Sequence, residues 1–234
     1  MKHNILTVAN KNYKDFIIVF INSLFEFVSL DDTETIYIYD TGLDQETVEY
    51  LLNFPKVKVV DPGFTALSDK IHDEGWKKNT YSKTKFLRDT LVETGLPTFM
   101  VDSDSIFVQN FIDLVDTECD IVGCLRKREG FSKYIGSFFG AINVEESILF
   151  IDKWIDNIKF LQENTRRKHC ESPGLSKTIE EANFNVQDLP EQIVSAVFPT
   201  QGSRIFHLKS DHYALTVEAR LGLEHAKPFV QRYL

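Results

Sequence analysis

The stretch at residues 98–108, TFMVDSDSIFV, places two aspartates directly after a short apolar run. The run TFMV predicts a buried β-strand, so Asp102 and Asp104 follow at its carboxyl end. Ligands of open parallel sheets bind at this edge, and two carboxylates at positions i and i+2 can converge on one hard divalent cation there. Aspartate is also common in ordinary turns. The position after a strand favours a functional site.

Short β-rich runs alternate with longer helical patterns on either side of this stretch. Strands are predicted at residues 5–9, 35–40, 57–61, 98–101, 119–125, 137–144, 184–190 and 203–208. Helices are predicted at residues 15–27, 45–52, 81–93, 145–164, 175–182 and 217–234. This order is typical of the α/β class, with a mainly parallel twisted sheet flanked by helices and a less regular second half.

Composition excludes several classes of protein. The chain has 26 basic and 35 acidic residues, a net charge of −9, which is the wrong sign for a nucleic-acid-binding surface. Cys119, Cys124 and Cys170 lack disulfide or metal-ligand spacing and favour buried thiols in a reducing compartment. The most apolar run, residues 16–25, is too short to cross a bilayer, and the N-terminus has no leader pattern. We therefore expect a cytoplasmic protein without a transmembrane segment or a nucleic-acid partner.

The Asp-x-Asp stretch and four other stretches together give a family resemblance. Residues 98–114, TFMVDSDSIFVQNFIDL, resemble the Asp-x-Asp segment of GT-A fold glycosyltransferases, which use nucleotide-diphosphate sugars as donors. In chain order, ILTVANKNY resembles the strand and loop that cradle the base, and YSKTKFLRDTL resembles the helix before the Asp-x-Asp strand. GSFFGAINV resembles the floor of the sugar pocket, and FHLKS resembles the late histidine of the metal site. The resemblance implies one Rossmann-like GT-A domain over residues 1–234, with a nucleotide-sugar-binding half at about 1–104 and an acceptor-binding half at about 105–234.

The resemblance also implies a site. A Mn²⁺ or Mg²⁺ ion would be held by Asp102, Asp104 and His207, with Asp102 alternatively on the donor sugar and ribose, and His207 on the diphosphate or only structural. The implied donor-binding residues are Ala9, Asn10, Tyr13, Lys85, Arg88, Asp102, Ser103 and Lys209. The implied acceptor-pocket residues are Gly136, Ser137 and Gly140, although this chain has two phenylalanines where relatives often carry Asn-Ser-Gly. The acceptor would be a glycan or another hydroxyl compound.

Glu171 is the candidate catalytic base. An inverting transfer needs a group that takes the proton of the acceptor hydroxyl. Glu171 in CESPGL resembles the acid of inverting relatives, in which acid-x-Pro-x-Leu precedes a strand that ends in Leu-Pro, here Leu189 and Pro190. The alternative is that Glu171 only favours the N-terminus of the following helix, which leaves a retaining mechanism open.

Three rival functions share the Asp-x-Asp motif, the alternating architecture or the nucleotide-sugar site. VDSDSI also fits a phosphatase of the haloacid-dehalogenase type, with Asp102 as the phosphoryl-accepting nucleophile. Three strand–helix units precede the motif, however, and no later pair of acids supplies that family's magnesium site. A nucleotidyltransferase needs a glycine-rich loop after the first strand, and ANKNY contains no glycine. A non-catalytic nucleotide-sugar-binding protein would differ from the enzyme only in turnover.

Overall fold

The structure, a computed structural model, describes residues 1–67, 74–127, 132–165, 170–181, 183–195, 202–207 and 231–233. Its strands are β1 His3–Ala9, β2 Thr33–Asp40, β3 Val57–Val60, β4 Thr98–Val101, β5 Ser105–Phe107, β6 Ile121–Leu125, β7 Tyr134–Ala141, β8 Val186–Pro190, β9 Val194–Ser195 and β10 Ile205–His207. Its helices are α1 Lys14–Phe27, α2 Gln45–Leu51, α3 Glu74–Thr94, α4 Val144–Asn164 and α5 Glu171–Glu181, with 3-10 turns at Lys11–Tyr13 and Ile112–Leu114.

The main sheet has seven strands in the order β3-β2-β1-β4-β7-β6-β8. Neighbouring strands are parallel except at β7, which is antiparallel to both β4 and β6. The carboxyl ends of β1, β2, β4 and β6 therefore meet at one edge of the sheet. A second sheet of three short strands, β5-β10-β9, follows from the end of β4. The predicted class, a mainly parallel sheet flanked by helices, is confirmed.

Apolar residues cover both faces of the main sheet. Phe99 of β4 belongs to the cluster that α1 covers, whereas its neighbour Met100 belongs to the cluster that includes residues of α3 and α4. Alternate side chains of a strand point to opposite faces, so a two-sided core requires such a continuous apolar run. Helix α1 buries an apolar stripe with the spacing i, i+3, i+4 and i+7, at Ile17, Phe20, Ile21 and Leu24.

Several predicted boundaries are displaced. The strand at residues 98–101 is confirmed, and α4 begins one residue before its predicted start. Helix α3 begins at Glu74 rather than residue 81, because its first turns are polar and carry no apolar period. Strands β5 and β9 were not predicted, since three and two residues are too short for a periodic pattern. The predicted helix at 217–234 lies outside the described residues apart from 231–233, which are helical.

Two expectations about the chain's environment can be compared with the structure. Cys119, Cys124 and Cys170 are buried thiols, as predicted. In the part of the chain that the structure describes, none of the helices combines the length and apolarity that a bilayer crossing requires.

The core predicts a stability difference between two phenylalanines. Phe99 is fully buried and contacts the rings of His3, Phe111 and Phe138, whereas Phe160 on α4 is 52% exposed. Phe99→Ala is expected to lower the free energy of unfolding by about 3–5 kcal/mol, because it opens a cavity between packed rings. Phe160→Ala, the matched control, should cost less than about 1 kcal/mol. Urea unfolding curves measure both, and equal losses would contradict the placement of Phe99.

Candidate functional site

The two aspartates of the opening motif lie in a turn between the two sheets. Asp102 is the first residue after β4, and its backbone N–H donates to the carbonyl of Ser137 on β7 at 2.9 Å. Asp104 immediately precedes β5 and is buried. Because strands hold both ends of this turn, the backbone that carries the two carboxylates is fixed by the fold. Ser103, between them, is also buried.

A histidine from the end of the second sheet completes this group. His207 is the last residue of β10 and pairs with Ser105 of β5, so the strand register brings it beside Asp104. Its Nε2 lies 3.0 Å from Asp104 Oδ1 and 3.7 Å from Asp102 Oδ2. The ligand atoms of Asp102, Asp104 and His207 all lie within 4.8 Å of one another. Two carboxylates and one imidazole suit Mn²⁺, which accepts nitrogen more readily than Mg²⁺, the more strictly oxygen-bound ion.

A buried lysine lies on the other side of Asp102. Lys83 of α3 is only 7% exposed. Its Nζ lies 2.6 Å from Asp102 Oδ1 and 2.6 Å from Glu171 Oε1, and it donates to the carbonyl of Gly136 at 3.1 Å. Burial alone would lower the pKa of Lys83, but the adjacent Asp102 and Glu171 carboxylates outweigh it and raise that pKa above its usual value. The two carboxylates therefore favour the charged form of Lys83.

Glu171 is held from several directions at the start of α5. It is 5% exposed, its Oε1 faces Lys83, and its carbonyl accepts a hydrogen bond from the indole N–H of Trp154 at 3.0 Å. The next residue, Ser172, accepts a hydrogen bond from the N–H of Gly136 at 3.1 Å. A Cβ on Gly136 would lie 2.5 Å from Glu171 Oε1. This close approach requires glycine at position 136.

The predicted base-binding residues reach the same edge of the sheet as Asp102. Ala9 ends β1, and its carbonyl accepts the backbone N–H of Thr41 at 2.9 Å. Asn10 is buried and donates its side-chain amide to the carbonyl of Ala66 at 3.0 Å. Tyr13 ends the 3-10 turn that follows and packs partly against the core. Asn10 thus joins the end of β1 to the segment after β3.

The predicted basic residues of α3 lie elsewhere. Lys85 is exposed with its Nζ 4.7 Å above the Tyr81 ring, and Arg88 binds the carboxylate of Asp152 on α4 at 2.5 and 3.2 Å. At 100° per residue, positions 85 and 88 point away from the face that carries Lys83. The sequence analysis missed Lys83. It lies four residues before the buried Leu87, so a lysine at the apolar spacing of this helix was the available signal.

The remaining predicted residues divide between the site and the core. Ser137 is buried and binds Asp102 through its backbone carbonyl. Gly140 lies in the middle of the sheet, where an added Cβ would contact Phe99 and Val122 at 3.0 and 3.1 Å. Its small size therefore serves core packing. Lys209 lies outside the described residues.

The comparisons with known proteins give structural neighbours only. No protein-family model matches the chain, and no curated protein matches it in sequence. The glycosyltransferase GlyE of Streptococcus pneumoniae TIGR4 is 14% identical with a TM-score of 0.65, over 100% of this chain and 63% of the GlyE chain. The galactosyltransferase LgtC, solved with donor and acceptor sugar analogs, is 12% identical with a TM-score of 0.65, over 98% of this chain and 96% of that chain. The likeness shows that the protein has the GT-A fold.

Gly136 provides a test of the packing around Glu171. Gly136→Ala is expected to lower the free energy of unfolding by about 1–3 kcal/mol, because the new methyl group must displace a buried, ion-paired carboxylate. Gly202→Ala is the matched control, since a Cβ there meets no atom of the described residues within 4 Å. Thermal and urea unfolding of both variants measure the difference. Equal stability of the two variants would show that Glu171 is not held against Gly136.

Proposed function

We propose that this protein is a metal-dependent glycosyltransferase that moves a sugar from a nucleotide-diphosphate donor to an acceptor hydroxyl. The observation that carries the proposal is the group formed by Asp102, Asp104 and His207 at the carboxyl end of the central strand β4. The GT-A fold supports sugar transfer, and LgtC, a structural neighbour, was solved with donor and acceptor sugar analogs. The fold also disfavours the haloacid-dehalogenase alternative, which shares only the short Asp-x-Asp pattern.

The protein's own groups have distinct parts in the proposed reaction. A bound Mn²⁺ or Mg²⁺ would supply Lewis-acid stabilisation of the negative charge on the departing nucleotide diphosphate. Asp104 and His207 would hold the ion, since their ligand atoms already lie 3.0 Å apart. Asp102 offers only its Oδ2, because its Oδ1 is bound by Lys83. The two oxygens of Asp102 are thus assigned to different partners.

The donor is proposed to lie along the edge from β1 to β4. Asn10 and Tyr13 would contact the nucleoside at the end of β1, and Ser103 would lie beside the diphosphate in the Asp102–Asp104 turn. Lys85 and Arg88 are engaged with Tyr81 and Asp152, so we do not assign them to the donor. Lys209 stays a prediction from the sequence, as does the cytoplasmic location.

The role of Glu171 as the catalytic base stays a prediction. A general base accepts the proton through a carboxylate oxygen, and Glu171 Oε1 lies 2.6 Å from Lys83 Nζ. This ion pair occupies Oε1, so an acceptor hydroxyl would have to approach Oε2. We propose an inverting transfer on the sequence resemblance, and the anomeric configuration of the product decides this point.

One prediction of the proposed function concerns donor binding. A panel of UDP, GDP, dTDP and CMP sugars, each with and without Mn²⁺, is expected to give stabilisation by one nucleotide class only with metal. A donor at about 100 times its dissociation constant adds about 2.7 kcal/mol, or about 5–10 °C in Tm for a domain of this size.

Asp104→Asn should abolish the metal-dependent shift, because it removes a charged ligand. Asp156→Asn on α4, an exposed acid, is the control and should keep it. A panel without any shift, or a normal shift in Asp104→Asn, would contradict the proposal.

Another prediction of the proposed function concerns turnover. Glu171→Gln should keep donor binding and slow transfer by about 10²–10⁴, the usual contribution of a general base. Glu180→Gln, an exposed acid on the same helix, serves as the control and should transfer at the normal rate. Proton NMR of the product is expected to show an inverted anomeric centre. Full activity in Glu171→Gln, or a retained configuration, would remove the base role. Donor binding without transfer or donor hydrolysis across a broad acceptor panel would instead favour a non-catalytic binding protein.

A further inference from the structure

Among the described residues, three carboxylates lie at or beside the candidate metal site, and the ammonium of Lys83 lies between two of them. Asp102, Asp104 and Glu171 are all poorly exposed, and the most open of them, Asp102, has 26% of its side chain exposed. Carboxylates that are close together and partly dehydrated repel one another unless a cation compensates them. Lys83 contacts two of the three, each at 2.6 Å. Its charge therefore reduces this repulsion when no metal is bound.

The ammonium of Lys83 contacts acceptors of the protein itself. A lysine ammonium has three N–H donors. Lys83 donates hydrogen bonds to Asp102 Oδ1 and to the carbonyl of Gly136, and its Nζ lies 2.6 Å from Glu171 Oε1. Because these contacts orient Asp102 and Glu171, we treat Lys83 as a positioning residue. Its position also fixes the orientation of Asp102, whose Oδ2 is left facing His207 Nε2 at 3.7 Å.

We propose that Lys83 is the internal counter-cation of the candidate metal site: it competes electrostatically with the divalent ion for Asp102 and sets how tightly that ion binds. The inference rests on the proposed metal-dependent function. Removing the ammonium leaves the negative charges of Asp102 and Glu171 without their shared counter-charge, so a divalent ion at Asp102 and Asp104 is attracted more strongly. A purely structural lysine would have the opposite effect, because its loss would scatter the ligands and weaken metal binding.

The test is a Mn²⁺ titration of the donor-free protein, with the free ion measured by its EPR signal. Lys83→Met is expected to bind Mn²⁺ about tenfold more tightly than the wild type, as expected for one unit charge acting on a divalent ion at short range. Lys159→Met on α4, which removes an exposed lysine paired with Asp156, is the control and should leave the dissociation constant unchanged. Unchanged or weaker Mn²⁺ binding in a Lys83→Met protein with normal circular dichroism would overturn the inference.

A second pair of variants covers the case in which Lys83→Met does not fold. The single variant Glu171→Gln and the double variant Lys83→Met/Glu171→Gln differ only in whether the ammonium of residue 83 is present. The double variant also buries one uncompensated charge fewer than Lys83→Met does. The double variant should bind Mn²⁺ more tightly than Glu171→Gln, and equal or weaker binding would again refute the role of Lys83. A wild-type protein that binds no Mn²⁺ would refute the metal site of the proposed function, and with it this inference. Wild-type binding without a gain on removal of Lys83 refutes the counter-cation role alone.

Discussion

The ammonium of Lys83 lies between two carboxylates that come from opposite halves of the chain. It joins α3 to Asp102 after β4, and it joins both to Gly136 on β7 and Glu171 on α5. Breaking a buried ion pair is costly because the remaining charge stays buried and uncompensated. The position of Asp102 is therefore coupled to β7 and α5 as well as to its own strand. This dependence also explains why Gly136 has no side chain, since the Glu171 carboxylate occupies that space.

The sequence predicts the fold where its periodic signals are long. Alternating apolar strands and amphipathic helices correctly indicate a mainly parallel sheet, and the run TFMV marks the central strand β4. The prediction fails at short or polar elements. Strand β5 is only three residues long, and the first turns of α3 carry charged and polar residues, so neither has an apolar period. The reversed direction of β7 was also not foreseen, because it depends on pairing partners that lie far away in the sequence.

The sequence pattern alone predicts the site residues that share one turn. It does not predict residues that strand pairing or helix packing brings to the site. Asp102 and Asp104 share one turn, and the family resemblance added His207, which the pairing of β10 with β5 brings to them. Lys83 was missed because a lysine is usually a surface residue, and only the helix face shows that it points inward. Gly140 was assigned to the pocket from the glycine pattern of one segment. The difference between Gly136 and Gly140 depends on which residues approach each glycine in space.

The central claim is that Asp102, Asp104 and His207 together hold a divalent ion for a sugar-linked diphosphate. Electron spin echo envelope modulation of the Mn²⁺-loaded protein tests it most directly, because it detects nuclei bound to the metal. The account predicts a ¹⁴N coupling from the imidazole that disappears in His207→Gln, and a ³¹P coupling that appears when the stabilising nucleoside diphosphate is added. Bound Mn²⁺ without ¹⁴N coupling, or without ³¹P coupling in the presence of saturating nucleotide, would contradict the account.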